Sequence, residues 1–156
     1  MSSVFYIIMR NDLGSLNPGK AMAQACHAGT QFVSYLHQKF PKKIDEYFGY
    51  DGIMTTIVLE GNIEQITALH NLYLENIKQD PYYSDDILDE TYPFSFSAEL
   101  LPYMNTEKFS EITIKDNTVY TTREELTCSW YFIKEENVEK FRSLTNKVKL
   151  ELAKWI

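Results

Sequence analysis

Val4 to Met9 (VFYIIM) is an unbroken apolar run of β-forming residues closed by the polar stretch Arg10 to Asn17, which predicts a buried strand feeding a loop. Asn17 can cap a following helix and Pro18 suits its first position, so a helix is expected from about residue 18 to Phe40, where Pro41 stops it. Lys42 to Phe48 can add a short helix before a turn at Gly49-Tyr-Asp-Gly52. Ile53 to Glu60 (IMTTIVLE) reads as a second strand by its β-branching. Asn62 can cap a helix from Ile63 to about Lys78, with Ile66, Leu69, Tyr73 and Ile77 at helical spacing and Pro81 ending it.

The second half is less regular. A loop rich in Asp and Tyr leads through Asp85 to Glu90 into a segment ending at Pro102. Glu111 to Thr122 (EITIKDNTVYTT) alternates on both sides of Asp116-Asn117, as a hairpin would. Leu126 to Ile133 reads as a central strand, and Asn137 to Trp155 as a closing amphipathic helix with Val138, Phe141, Leu144, Val148 and Leu152 on one stripe. Strands alternating with helices favour an α/β sheet covered on both faces, with ligands bound outside the carboxyl ends of its strands. The loop after the first strand and the head of the first helix lie at such an edge.

That helix carries "NPGKAMAQACHAG" (Asn17 to Gly29). Lys20, Gln24, His27 and Gln31 are spaced 4, 3 and 4 and share one helix face, beside a stripe of Ala21, Ala25, Ala28 and Phe32. With Ala23 and Gly29 also small, the helix is expected to seat closely on the sheet and hold the polar stripe rigidly. Lys20 in the first turn opposes the helix dipole, so it is either an ordinary solvated lysine or a cation placed to meet an anion. His27 is either a ligand or acid–base group or a hydrogen-bonded structural histidine.

Composition bounds the rest. At 156 residues and 44% hydrophobic content, one globular domain spanning 1–156 is expected. The run Val4 to Met9 is the longest apolar stretch, far short of a membrane span or a signal-peptide core, so a soluble, cytoplasmic protein without membrane contact is expected. Cys26 and Cys128 fall in a helix and a strand that both read as buried, which suits reduced thiols. The net charge of −7 is uneven: residues 1–43 carry a net +4, residues 137–156 a net +3 and the middle a net −14. The two ends could form a basic face for a polyanion, or the acidic surface could simply be solvated.

Several chemistries lack their residues. His27, His37 and His70 form no zinc-type spacing, Cys26 and His27 are neighbours that point apart on a helix, and the glycines match no phosphate-cradling pattern. No metal is expected.

The residues "RNDL" (Arg10 to Leu13), "GKAMAQACHA" (Gly19 to Ala28) and "TTIVLEGNIEQITALHNLYLENI" (Thr55 to Ile77) resemble the type-2 peptidyl-tRNA hydrolases of archaea and eukaryotes, whose helix reads G-K-x-x-A-Q-x-x-H-A. The segment Leu126 to Leu150 also looks like that family's ending. The resemblance implies a three-layer α/β/α fold around a mixed four-stranded sheet, often as a homodimer, and hydrolysis of the ester joining a peptide to the 3′ ribose of tRNA, without metal or organic cofactor. It implies that the G-K lysine, here Lys20, works with an aspartate and a threonine of a later D-x-G-x-T loop.

A fixed cation can stabilise the oxyanion or the departing ribose oxygen, a carboxylate can orient or deprotonate water, and a hydroxyl can position it. Asp89 is the best candidate carboxylate, or is one more acid in a run with Asp85, Asp86 and Glu90. Where the family has its glycine loop this chain reads Asp89-Glu-Thr-Tyr-Pro-Phe-Ser95, with Pro93 at the threonine position, so Thr91 or Ser95 would supply the hydroxyl. About twenty residues, 102–125 with the hairpin, look inserted. The expected site is therefore Lys20, Asp89 and Thr91, supported by Gln24, His27 and Ser95, with Arg10 and Asn11 near the RNA end. The alternative is a family member that has lost catalysis and binds a protein or nucleotide through the aromatic stretch Tyr92 to Tyr103 and its hairpin.

Overall fold

The computed structural model describes residues 3–48, 54–80 and 83–154. The expected turn at Gly49 to Gly52, the first residue of the expected second strand, Ile53, and the helix stop at Pro81 lie outside the described residues. The chain divides into two compact units: Met1–Ile87 with Thr127–Ile156, and Leu88–Leu126. Strands β3 (Ser84–Ser97) and β5 (Thr118–Ile133) each run through both units.

In the first unit β1 (Val4–Arg10) is central, parallel to β2 (Thr55–Gly61) on one side and antiparallel to β5 on the other, with Ile8 opposite Leu59 and Ser129. Alternate residues of β1 therefore enter opposite layers. Tyr6 and Ile8, with Tyr131 and Ile133 of β5, pack against α3 (Ile63–Asn76) through Ile66, Leu69 and Tyr73 and against α4 (Val138–Lys147) through Phe141 and Leu144. Phe5, Ile7 and Met9, with Cys128, Trp130 and Phe132, pack against α1 (Pro18–Lys39) through Ala21, Ala28, Phe32 and Leu36. The protein is an α/β fold with helices on both faces of a mixed sheet. A short α2 (Ile44–Tyr47) follows α1.

The sheet has six strands where four were expected, in the order β3-β5-β1-β2-β6 with β4 on β5. The missed strand β3 alternates only weakly, because most of its residues are exposed or half-buried. The hairpin is present as β4 (Phe109–Lys115) and the first half of β5, but β5 continues without a break into the expected central strand.

The last helix ends eight residues earlier than expected. Lys149 takes φ 61°, the Leu150 amide donates to Thr145 O at 3.1 Å and the Lys149 amide to Asn146 O at 3.0 Å, which is a Schellman stop. Leu152 then lies exposed on β6 (Glu151–Leu152), paired to β2 instead of continuing the apolar stripe. No glycine or proline marks this stop, so periodicity alone overran it.

In the second unit β3, β4 and β5 continue as an antiparallel group. Phe94, Phe96 and Phe109 pack on one another as tilted rings with centroids 5.4 to 5.8 Å apart, and Arg123 lies 3.9 Å over the Phe94 ring.

Candidate active site

The loop after β1 is fixed by its own side chains. Arg10 Nε and Nη2 donate to Asp12 at 2.8 and 3.2 Å, and Asp12 Oδ2 also accepts from the Ile63 amide at the head of α3 at 3.1 Å. Burial alone would raise the Asp12 carboxyl, but the Arg10 and Ile63 hydrogen bonds outweigh it and hold the pKa below the usual 3.8. The Arg10 side chain, at 9% exposure, is engaged in this loop, whereas Asn11 beside it is exposed and donates its backbone amide to Gly61 O at 3.0 Å.

Asn17 caps α1 as expected, accepting the Lys20 amide at 2.9 Å with Pro18 in the first turn. The Lys20 side chain is exposed and makes no ion pair among the described residues. Gln24, the next member of the stripe, is anchored. The hydroxyl of buried Thr127 lies 3.0 Å from Gln24 Oε1 and 3.2 Å from Ile87 O, two acceptors that share its one proton, and the nearer contact ties the helix to β5. Two turns on, Trp130 Nε1 donates to Gln31 Oε1 at 2.7 Å. His27, between them, is exposed.

The close seating expected from small residues is only partly present. Ala21 and Ala28 face the sheet and are fully buried, but Ala23 is exposed and a Cβ on Gly29 would meet nothing within 4 Å. Cys26 is likewise exposed, not buried as its helix suggested, because it sits on the far side from Ala28. Cys128 is buried against the α1 layer, and loss of solvation there raises its thiol to about 12.

The remaining candidates belong to the second unit. Asp89 Oδ1 accepts from the Thr91 amide at 2.9 Å and from the Thr91 hydroxyl at 3.3 Å, so the carboxylate and the hydroxyl are held together by a local turn of side chain on backbone. Ser95 is exposed farther along β3. Asp86 is bonded by Ser129 Oγ at 2.6 Å and stands on the α3/α4 side, since Ser129 alternates with Trp130, whose ring belongs to the α1 side. Among the described residues no three His, Cys, Asp or Glu side chains stand together as a metal site needs, and no helix is long and apolar enough to cross a membrane. Thr127 was missed by sequence reasoning because a threonine in a β-forming run carries no signal of its own.

Residues 3–84, more than half of the chain, match the family model described as peptidyl-tRNA hydrolase PTH2. The chain belongs to this family. The matched stretch holds Arg10, Asn11, Lys20, Gln24 and His27 and ends where β3 begins, so Asp89, Thr91 and Ser95 lie beyond it. At the level of the family, this match supports a hydrolase acting on peptidyl-tRNA. No curated protein matches the chain. A solved structure of a protein of unknown function from Agrobacterium tumefaciens is similar over 99% of both chains at 13% identity, with a TM-score of 0.46.

Proposed function

We propose that this chain hydrolyses the ester joining a peptide to the 3′ ribose of tRNA. Lys20 supplies the cation for the oxyanion or the leaving ribose oxygen, and substrate covering the exposed amine would strengthen that interaction. Asp89 orients or deprotonates the attacking water, and Thr91, held on the same carboxylate, positions it, with Ser95 as the alternative hydroxyl. Gln24 and His27 support the site, Asn11 faces the RNA end, and Arg10 contributes by fixing the loop that carries it. The reaction works without a bound cofactor, in the cytoplasm, on one domain spanning 1–156 with residues 102–125 as an insert.

The observation that carries this reading is the anchoring of Gln24. In the helix that matches the family, its Oε1 accepts from the hydroxyl of buried Thr127, which holds the polar stripe of Lys20, Gln24 and His27 against β5. Asp86 is the less suitable carboxylate, since its oxygen is taken by Ser129 on the opposite side of the sheet from α1. The binding-module alternative would act through the exposed rings of Tyr103 and Tyr120, since Phe94, Phe96 and Phe109 pack on one another and Arg123 covers Phe94.

Turnover of N-acetylated aminoacyl-tRNA tests the proposal. The parent protein should release free tRNA, and Lys20→Ala should lower kcat/KM by about a hundredfold with an unchanged unfolding midpoint, since the residue is exposed. A parent protein at background, or a fully active variant, would overturn it.

A further inference from the structure

The first unit holds a cavity of about 160 Å³ lined by Gln31 and Tyr35 of α1, Tyr83, Ser84 and Asp85 where β3 begins, and Trp130 of β5. At roughly 30 Å³ per water it has room for about five waters, below the roughly 300 Å³ of a cleft for a drug-sized ligand. One small group fits it.

Three of its walls are aromatic and already fixed. Tyr83 and Trp130 are buried, and each packs on Phe32 with centroids 5.5 and 5.2 Å away. Tyr35 stands nearly perpendicular to Tyr83, at 79° with centroids 5.8 Å apart. Rings at right angles bound a corner with their electron-rich faces, which attracts a cation.

The charge at the cavity has one sign. Asp85 is exposed, accepts the Asp86 amide at 2.8 Å and makes no ion pair among the described residues. Alternation along β3 separates the two acids, since Asp86 is bonded by Ser129 on the α3/α4 side and Asp85 is left on the α1 side. No Lys, Arg or His lines the cavity, and the Trp130 Nε1–H is already donated to Gln31 Oε1 at 2.7 Å. An anion there would face a carboxylate, with the Gln31 amide and two hydroxyl-bearing side chains as its donors.

We infer that this cavity binds an alkylammonium group, with its charge on the Asp85 carboxylate and its apolar stem against Tyr35, Tyr83 and Trp130. The group belongs to a small free amine or to a lysine side chain, and the same contacts serve both. A metal ion fits less well, because the cavity offers a single carboxylate. The inference is independent of the esterase reading, since about 16 Å of helical rise separates residue 31 from Lys20.

The indole N–H of Trp130 is the reporter, read by proton–nitrogen correlation spectra of the full chain. The chain has two tryptophans, and a Trp155→Phe variant identifies the Trp130 signal. Millimolar n-butylammonium chloride should shift that signal saturably, whereas 1-butanol, its neutral counterpart, and sodium chloride at matched ionic strength should not. Asp85→Asn keeps an acceptor for the Asp86 amide and should weaken binding by about tenfold. Tyr35→Leu should weaken it by about fivefold. Nα-acetyl-lysine methylamide separates the two sources: tighter binding than butylammonium assigns the group to a lysine of a peptide, and weaker binding assigns it to a free amine. Butanol or AMP shifting the signal as strongly as the amine, both amines without effect, or an Asp85→Asn variant that binds as the parent does would each overturn the inference.

Discussion

β1 and β4 are both seven-residue strands with similar β-forming content, yet six residues of the first are buried and none of the second is. β1 is flanked by strands on both edges and covered by helices on both faces. β4 has one neighbour and a tight turn. The difference teaches that strand-forming sequence in this chain reports only that a segment will extend. How much the strand contributes to stability depends on what covers it.

The largest test of that contrast is one substitution made in both strands. Ile8→Ala removes a fully buried side chain packed in the α3/α4 layer, and it should cost about 2 to 5 kcal/mol in urea unfolding. Ile114→Ala, at an exposed position, should change stability by less than about 0.5 kcal/mol in dilute solution. Equal costs would end the distinction between the strands.

A smaller effect is expected where β1 ends. Asp12→Ala removes the carboxylate that accepts from Arg10 and from the head of α3, at a cost of about 1 kcal/mol. Because the folded carboxyl is held below its usual pKa, its contribution is present at neutral pH, above the unfolded value, and is lost as pH falls through the folded one. Thermal melts from pH 7 to pH 2 should therefore converge for parent and variant at the acid end. A gap that widens on acidification would reverse the assignment.

The smallest effect should come from the turn that holds β4. Asn117→Gly relieves a side chain at positive φ and should stabilise the hairpin by about 0.5 to 1 kcal/mol. Slower amide exchange in residues 109 to 122, with β1 amides unaffected, is the expected readout.

The same contrast explains what could be read from the sequence. β1, the Asn17 and Asn62 caps, and the helices after them were legible because burial imposes a period and caps need particular side chains. β3 was not, since a strand with little buried surface has no pattern to impose. Nor was the stop of α4, where Lys149 occupies a left-handed position usually given to glycine. In the candidate site, Lys20 and Gln24 were visible from helical spacing, while the hydroxyl that anchors Gln24 was not, because Thr127 comes from a strand 103 residues away in the chain. Asp89 and Thr91 are bonded to each other, a pairing that their i, i+2 spacing permits but does not announce.

The bonds from Gln24 to Thr127 and from Gln31 to Trp130 lie two helical turns apart on one side of α1. Together they prevent the cylinder from rolling or sliding, since a one-residue screw motion would swing both amides about 100° off their acceptors and donors. The direction in which the residue-20 amine leaves the helix is thereby set by two contacts that never touch it, and weakening either one would let that bearing drift while leaving the lysine in place.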